Sequence, residues 1–384
     1  MKPLPKTDLR ALLAAQTMES AGALMRAEPT AAHPLAVRCL ACGHRCFIPE
    51  GRHGVCHVRF NRRGQLRAPS GYVAGLQVDP IEKKPFFHAF PGRDALSFGM
   101  MGCDLHCSYC QNWVTSQALR DSRAVAGVQS VQPAELVELA RRQDTPVIVS
   151  TYNEPLITAD WAVEIFRLAV ADGLTCGFVS NGNATPEVLE FIRPWVRLFK
   201  VDLKTFDDRS YRQLGGVLGN VLETIRRLRQ MDFWVEIVTL VVPGFNDGDD
   251  ELRRMADFLA GVSADIPWHV TAFHPDYKMI DPPRTPAETL LRACELGRQA
   301  GLRFTYAGNL PGRVGDQENT CCPGCGITLI RREGFLVLDN RLQAGRCPSC
   351  LMQIPGVWET GAPRRSSGCG TPRRVRLTTL DRHA

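Results

Sequence analysis

Three cysteines stand at positions i, i+4 and i+7 in the stretch Met101-Gly102-Cys103-Asp104-Leu105-His106-Cys107-Ser108-Tyr109-Cys110. Three thiolates on one tight loop can hold three corners of a [4Fe-4S] cube, for which four cysteines are the usual set. A loop that supplies only three leaves one iron open to another ligand. A zinc loop, or thiols buried as small apolar groups, would use the same residue types. A second group, Cys39-x2-Cys42-x3-Cys46-x9-Cys56, lies in a loop-rich, basic setting. Four thiols at this spacing point to a metal, either zinc or a second iron–sulfur cluster. His44 or His53 could each replace a thiol there. A third group pairs Cys322-Pro-Gly-Cys325 with Cys347-Pro-Ser-Cys350, 21 residues apart. Two such knuckles are a strong zinc-ribbon pattern. The zinc would supply much of the folding energy of so short a module.

Twelve of the 15 cysteines fall in these groups, counting Cys321 beside Cys322; Cys176, Cys294 and Cys369 stand alone. No secretory signal or membrane span is legible at the N-terminus or elsewhere, which predicts a cytoplasmic protein. Metal binding is then a better reading of the cysteines than disulfides. The net charge of +6 on 384 residues is too mild to argue for nucleic acid. Part of the excess sits in Arg364-Arg365 and Arg373-Arg374-Val375-Arg376, within a tail, 359–384, that reads as basic and disordered.

The elements that must position this chemistry alternate. Short apolar runs at 95–100, 147–151, 175–180, 198–203, 234–242 and 268–273 read as strands. Helical patterns lie near 133–143, 159–172, 185–193, 218–230, 248–261 and 286–300. Alternation of this kind predicts parallel strands with a right-handed winding. Periodicity alone does not separate a partial barrel from an open doubly wound sheet. The cysteine loop follows the first strand, at the strand end where barrel folds place their chemistry. The expected organisation is a helical segment over 1–36 (helix at 8–27), a four-cysteine module with a linker at 37–93, and a main domain at 94–310. A ribbon-like module at 315–358 follows. Pro80 and Pro85 bracket the charged segment 79–88, which should be extended.

The loop, with Tyr109 just before its last cysteine, resembles the signature of the radical S-adenosylmethionine (SAM) superfamily. The resemblance implies an α/β fold, a partial (β/α)6 TIM-like barrel, with SAM chelated by the open iron. Polar residues at successive strand ends match it in order. Tyr152-Asn153-Glu154-Pro155 stands where the superfamily has Gly-Gly-Glu-Pro; the two glycines are replaced, and Glu154 remains for the SAM ammonium. Ser180 with Asn181, Asp202 with Lys204, and His274 follow. The contexts of Asp202, Lys204 and His274 resemble glycyl-radical activating enzymes of the pyruvate formate-lyase type, where such positions line the SAM pocket. Tyr109 is expected against the adenine. Over nearly the whole chain, the four-cysteine group, 79–85, Cys110-Gln111-Asn112-Trp113, Tyr306-Ala307-Gly308-Asn309 and Ile354-Pro355-Gly356-Val357-Trp358 resemble the radical SAM protein of the AmmeMemoRadiSam system.

That resemblance implies company with Memo-like and AMMECR1-like proteins, and a flavodoxin or ferredoxin as electron donor. It implies reductive cleavage of SAM to a 5′-deoxyadenosyl radical that takes hydrogen from a substrate. A protein or peptide is the favoured substrate, entering through the open side of a barrel that fails to close; a small metabolite is the alternative. The competing class is a non-enzymatic metal-binding adaptor, which would not need Glu154, Ser180, Asp202, Lys204 and His274 at strand ends.

Overall fold

The computed structural model describes residues 6–124, 126–359, 366, 368 and 370–375. Its centre is a nine-stranded sheet. Seven neighbouring strands run parallel: β1 (Asp94–Gly99), β2 (Val147–Ser150), β3 (Thr175–Ser180), β4 (Leu198–Asp202), β5 (Trp234–Val241), β6 (Trp268–Ala272) and β7 (Thr305–Gly308). Strand Gly75–Pro80 adds antiparallel to β1, and Arg373–Arg374 adds antiparallel to Gly75–Pro80. The Val/Ile-rich composition suits strands covered on both faces; all four residues of β2 are buried.

Helices connect the strands on the outside, and their starts are written in the sequence. Gln132 and Glu135 form a reciprocal capping box with Pro133 in the first turn of Pro133–Arg142. Thr185 accepts from the Val188 amide at the head of Pro186–Ile192. The six expected strands are all present. β7 is a seventh parallel strand, so the count of six is corrected. It was missed because Thr305–Gly308 is four residues long, too short to show a period.

Alternation along each strand turns one set of side chains inward. At the lower end of the sheet, Ala95, Val147, Leu198 and Trp234 pack with Ile81, Phe86 and Ala89. The segment 81–90 therefore plugs the interior. It is anchored by Glu236 on β5, whose carboxylate accepts from the backbone amides of Phe87 and His88 at 2.9 Å each. The same carboxylate meets Trp234 Nε1 at 2.9 Å and His269 Nε2 at 2.7 Å. The expected extended course of 79–88 is interrupted by a single 3-10 turn, Ile81–Lys83, which Pro80 permits because proline is tolerated at a helical start.

Two further expectations are corrected. The N-terminal helix spans Lys6–Ala15, not 8–27. Beyond it, Thr17–Glu19 pairs with Gln65–Pro69, and Met25–Ala27 pairs with Val37–Cys39. Sheet pairing in the tertiary structure outweighs the helix propensity of this Ala/Leu-rich run. In the basic tail, Arg373–Arg374 is ordered as an edge strand, and Arg373 reaches Asp94 at 3.0 Å. Arg364, Arg365, Cys369 and Arg376 lie outside the described residues.

The C-terminal module is a three-stranded antiparallel sheet, Thr320–Cys321, Thr328–Glu333 and Leu336–Asn340. Gly334, at φ 58°, makes the hairpin turn. Its apolar residues share a core with Phe87, Phe304 and Tyr306 of the main domain. Among the described residues, no helix is long and apolar enough to cross a membrane.

Candidate active site

The cysteine loop leaves β1 through Gly102, whose φ of +93° favours glycine. A Cβ there would also lie 2.8 Å from Val58 Cγ1 and 3.1 Å from the Cys56 carbonyl. The loop is fixed from its flanks. The His106 amide donates to the Leu214 carbonyl at 2.9 Å, and Arg120 donates to the Cys103 carbonyl at 2.8 Å. Cys103, Cys107 and Cys110 all line one cavity of about 400 Å³. All fourteen described cysteines are free. Burial pushes the Cys107 thiol up to about 12 and raises Cys103 and Cys110, so a bare thiolate is disfavoured at each.

The same cavity collects Tyr109, Glu154, Ser180, Asp202 and Lys204. Glu154 is held by three donors: Ser180 Oγ at 2.7 Å, the Asn181 amide at 2.8 Å and the Leu156 amide at 3.1 Å. Burial, then the negative charge of Asp104, raises its carboxyl to about 8. Lys204 lies 3.4 Å from Asp202 Oδ2, and Lys200 bonds Asp202 Oδ1. His274 is placed differently. It does not line the cavity, and sits half-buried at its rim accepting from Gln111 Nε2 at 3.1 Å.

Tyr152 occupies the left-handed region, at φ 69°, in the turn that would carry glycine in the resembled pattern. Gly75 and Gly99 leave room for its ring; Cβ atoms there would come within 3.0 and 2.9 Å of Tyr152 atoms. The Tyr152 hydroxyl reaches Asp79 and Lys84.

Asp104, buried beside the first cysteine, was not singled out by the sequence. It accepts from Asn181 Nδ2 at 2.7 Å and Asn183 Nδ2 at 2.8 Å. Its carbonyl lies 3.2 Å from His44 Nε2, and the Gly43 amide donates to the Asn183 carbonyl at 2.8 Å. The N-terminal cysteines thus pack directly beside the loop; Cys39, Cys42 and Cys56 are buried and Cys46 is half-buried. Lys200 was also missed. No local pattern marks a lysine in the middle of an apolar strand as facing a cavity.

Cys322, Cys325, Cys347 and Cys350 bring their sulfurs within 4.8 Å of one another. That spacing suits a single ion held tetrahedrally. Among the described residues, neither of the other two cysteine groups converges so tightly. A cube of four irons is larger than one ion and keeps its thiolates further apart.

A family model described as the Radical SAM superfamily matches residues 99–259. An uncharacterized protein of Methanocaldococcus jannaschii, MJ0808, is 36% identical over 322 residues, covering 83% of this chain and 95% of that one. The pyruvate formate-lyase 1-activating enzyme of Escherichia coli is 24% identical over 238 residues, covering 56% of this chain and 93% of the enzyme. A crystal structure of a radical SAM methyltransferase from Sphaerobacter thermophilus covers 81% of this chain and 85% of its own, at 17% identity and a TM-score of 0.44. With three cysteines lining a cavity at the end of a parallel sheet and a relative matched along most of its length, the chain belongs to the radical SAM superfamily.

Proposed function

We propose that the protein reductively cleaves SAM at a [4Fe-4S] cluster held by Cys103, Cys107 and Cys110. The observation that carries this reading is the placement of these three thiols in one cavity with Glu154, Ser180, Asp202 and Lys204. The residues fit the group. The thiols are free, and burial makes their anionic state dependent on a cationic partner. The Leu105 amide points at Cys103 Sγ from 3.4 Å, and Ser116 Oγ lies 3.2 Å from Cys110 Sγ. When bound, such a cluster with one iron free of cysteine supplies an electron to SAM, giving methionine and a 5′-deoxyadenosyl radical that abstracts hydrogen from a substrate.

The chain's own residues bind and orient. Glu154 sits ready to accept an ammonium, whose charge would draw its carboxyl back toward the anion. Tyr109 offers a buried aromatic wall, edge-on to Phe245 at 5.9 Å. Lys204 and Asp202 offer one charge of each sign beside Cys107. The burial of these groups keeps water from the reacting atoms.

The remaining assignments belong to the same reading. Zinc is proposed at Cys322, Cys325, Cys347 and Cys350, and a second iron–sulfur cluster, in preference to zinc, at Cys39, Cys42, Cys46 and Cys56. A flavodoxin or ferredoxin would supply electrons. Membership of the AmmeMemoRadiSam system, with Memo-like and AMMECR1-like partners, rests on the whole-chain resemblance. The adaptor reading gives no role to a cavity of this composition.

The substrate reading turns on the side of the barrel. A protein or peptide was favoured because an unclosed barrel would admit a loop. Segment 81–90 meets the C-terminal module through Arg332 on the Phe87 carbonyl and the Ala89–Val357 bridge, and Pro311, Gly334 and Phe335 add to the cavity wall. This observation supports the alternative, a small metabolite. The deciding experiment is anaerobic incubation of reconstituted protein with SAM and dithionite, followed by assay for 5′-deoxyadenosine. Its absence would overturn the function. Deuterium entering 5′-deoxyadenosine from a labelled metabolite extract supports the small substrate, and deuterium from labelled partner proteins the peptide.

A further inference from the structure

Four lysines line the cavity, Lys83, Lys84, Lys200 and Lys204, against two aspartates that pair with them. Lys83 and Lys84 share Asp79; Lys200 and Lys204 share Asp202. Lys204 belongs with the cysteine loop, where Cys107 is one of its electrostatic neighbours. Lys84 and Lys200 face each other's field lower down, one from the plug and one from mid-strand β4. Their side chains are 4% and 5% exposed.

Burying an ammonium costs several kcal/mol unless it is well paired. Each ammonium has three donors. Lys200 uses one on Asp202, and Lys84 uses two, on Asp79 and on the Tyr152 hydroxyl at 3.2 Å. The other acids nearby are committed elsewhere. Glu154 accepts from three donors, Glu236 from four, and Glu318 from the Gly312 and Gly334 amides. Glu82 is the exception: Oε1 accepts from the Gly92 amide and faces Arg332, while Oε2 has no hydrogen-bond partner among the described residues.

Tyr152 adds a second, independent sign. Its left-handed backbone costs on the order of 1 kcal/mol that glycine would not incur. What the chain gains is a phenol that bridges Asp79 and Lys84, with the Lys84 ammonium 4.4 Å from the ring centroid. A purely apolar wall would need neither the strain nor the lysines.

Resting on the radical SAM reading for the fate of the substrate, we propose that Lys84, Lys200 and Tyr152 form a subsite for the oxyanion group of a small substrate, a carboxylate or a phosphate, below the cysteine loop. The spare donors of the two ammonium groups bind the oxygens, and the Tyr152 hydroxyl orients Lys84 toward them. Desolvation holds Lys84 down to about 8, so an arriving anion also supplies the countercharge this lysine only partly has. The oxyanion end fixes the substrate, and its C–H bond is presented upward to the SAM side, as hydrogen abstraction requires.

The test is binding, made without SAM on the full-length, anaerobically reconstituted protein. Malonate and inorganic phosphate are titrated at constant ionic strength, with chloride as the reference, and read by calorimetry and by thermal midpoint. Wild type should show saturable binding of at least one probe, and the tighter one names the group. Lys84→Met and Lys200→Met should each weaken it by about tenfold or more, the loss of a charge-assisted contact. Asp79→Asn keeps both lysines but removes the carboxylate that helps hold Lys84 in its charged form, so it should weaken binding increasingly as pH rises past neutrality. Tyr152→Phe should weaken it less than either lysine change. A wild-type response no larger than chloride, equal affinity in the lysine variants, or an Asp79→Asn affinity that matches wild type at every pH would each overturn the subsite. The latter results would leave the lysines as structural ion pairs. Assay of 5′-deoxyadenosine on the same preparations separates the two claims. A wild type that binds malonate or phosphate but forms none retains the subsite and loses the radical function.

Discussion

Cys103, Cys107 and Cys110 do little for the fold that alanine could not do. The loop is anchored to the rest of the chain by the Leu214 carbonyl and by Arg120, while the sulfur contacts, Leu105 amide to Cys103 and Ser116 to Cys110, stay within or next to the loop. Replacing any one of them by alanine should therefore abolish 5′-deoxyadenosine formation while leaving circular dichroism and the thermal midpoint close to wild type. Full cleavage in any of the three variants would sink the assignment. His88 makes a different kind of claim. It is fully buried, 2.7 Å from the Pro355 carbonyl through Nδ1 and 2.6 Å from the Tyr306 hydroxyl through Nε2. Burial holds its pKa down to about 4, against an ordinary 6.5. The unfolded chain thus takes up this proton first as pH falls. Stability from His88 is full above pH 6.5 and is lost as pH drops toward 4, by about 3 kcal/mol in all. Urea melts at pH 7 and pH 4.5 should show that slope, and His88→Leu should flatten it. The cysteines were legible as residues because their spacing is itself the signal. Asp104 and Lys200 were not, because their roles exist only after distant strands bring Asn181, Asn183 and Lys84 beside them.

Among the elements, the plug 81–90 is the one on which the cavity floor depends. Glu236 gathers four donors from two plug amides, Trp234 and His269. Glu236→Leu strands those donors in a dry interior and should cost about 3–5 kcal/mol in urea unfolding. A cost under 1 kcal/mol would mean the plug holds by apolar packing alone. Another bolt fastens the N-terminal module. Arg59, 1% exposed, pairs with Asp160 and donates to the Ile157 carbonyl at 2.8 Å. The strands β1 to β6 were readable because short apolar runs alternate regularly with capped helices. The plug was not, since a segment rich in Pro, Lys and Phe carries no period; its course is set by Glu236, some 150 residues away in sequence. The N-terminal helix failed for the opposite reason. Its Ala/Leu composition is a genuine local preference, overridden from Thr17 onward by pairing with Gln65–Pro69.

At the scale of the whole molecule, the modules share structure with the central sheet. A relay of hydrogen bonds runs from Arg332 through Thr320, Tyr306 and His88 to the Pro355 carbonyl. The C-terminal cysteines should hold about one zinc per chain. Chelation of the full-length protein should then lower the thermal midpoint of the main domain itself, because Phe87 and Tyr306 lose their packing partners. A midpoint indifferent to chelator would separate the module from the main domain. The sheet also ends in an unusual way. Arg373–Arg374 pairs with Val78 and Gln77 on the outer edge of Gly75–Pro80 and places two positive charges there. Uncovered, that edge is six residues of open amides and carbonyls, a template for a second molecule. Deleting the chain from Thr371 onward should leave the cysteine loop intact yet make the protein self-associate with rising concentration. This pair of arginines therefore bears on solubility, and on where a purification tag can be attached without exposing an adhesive edge.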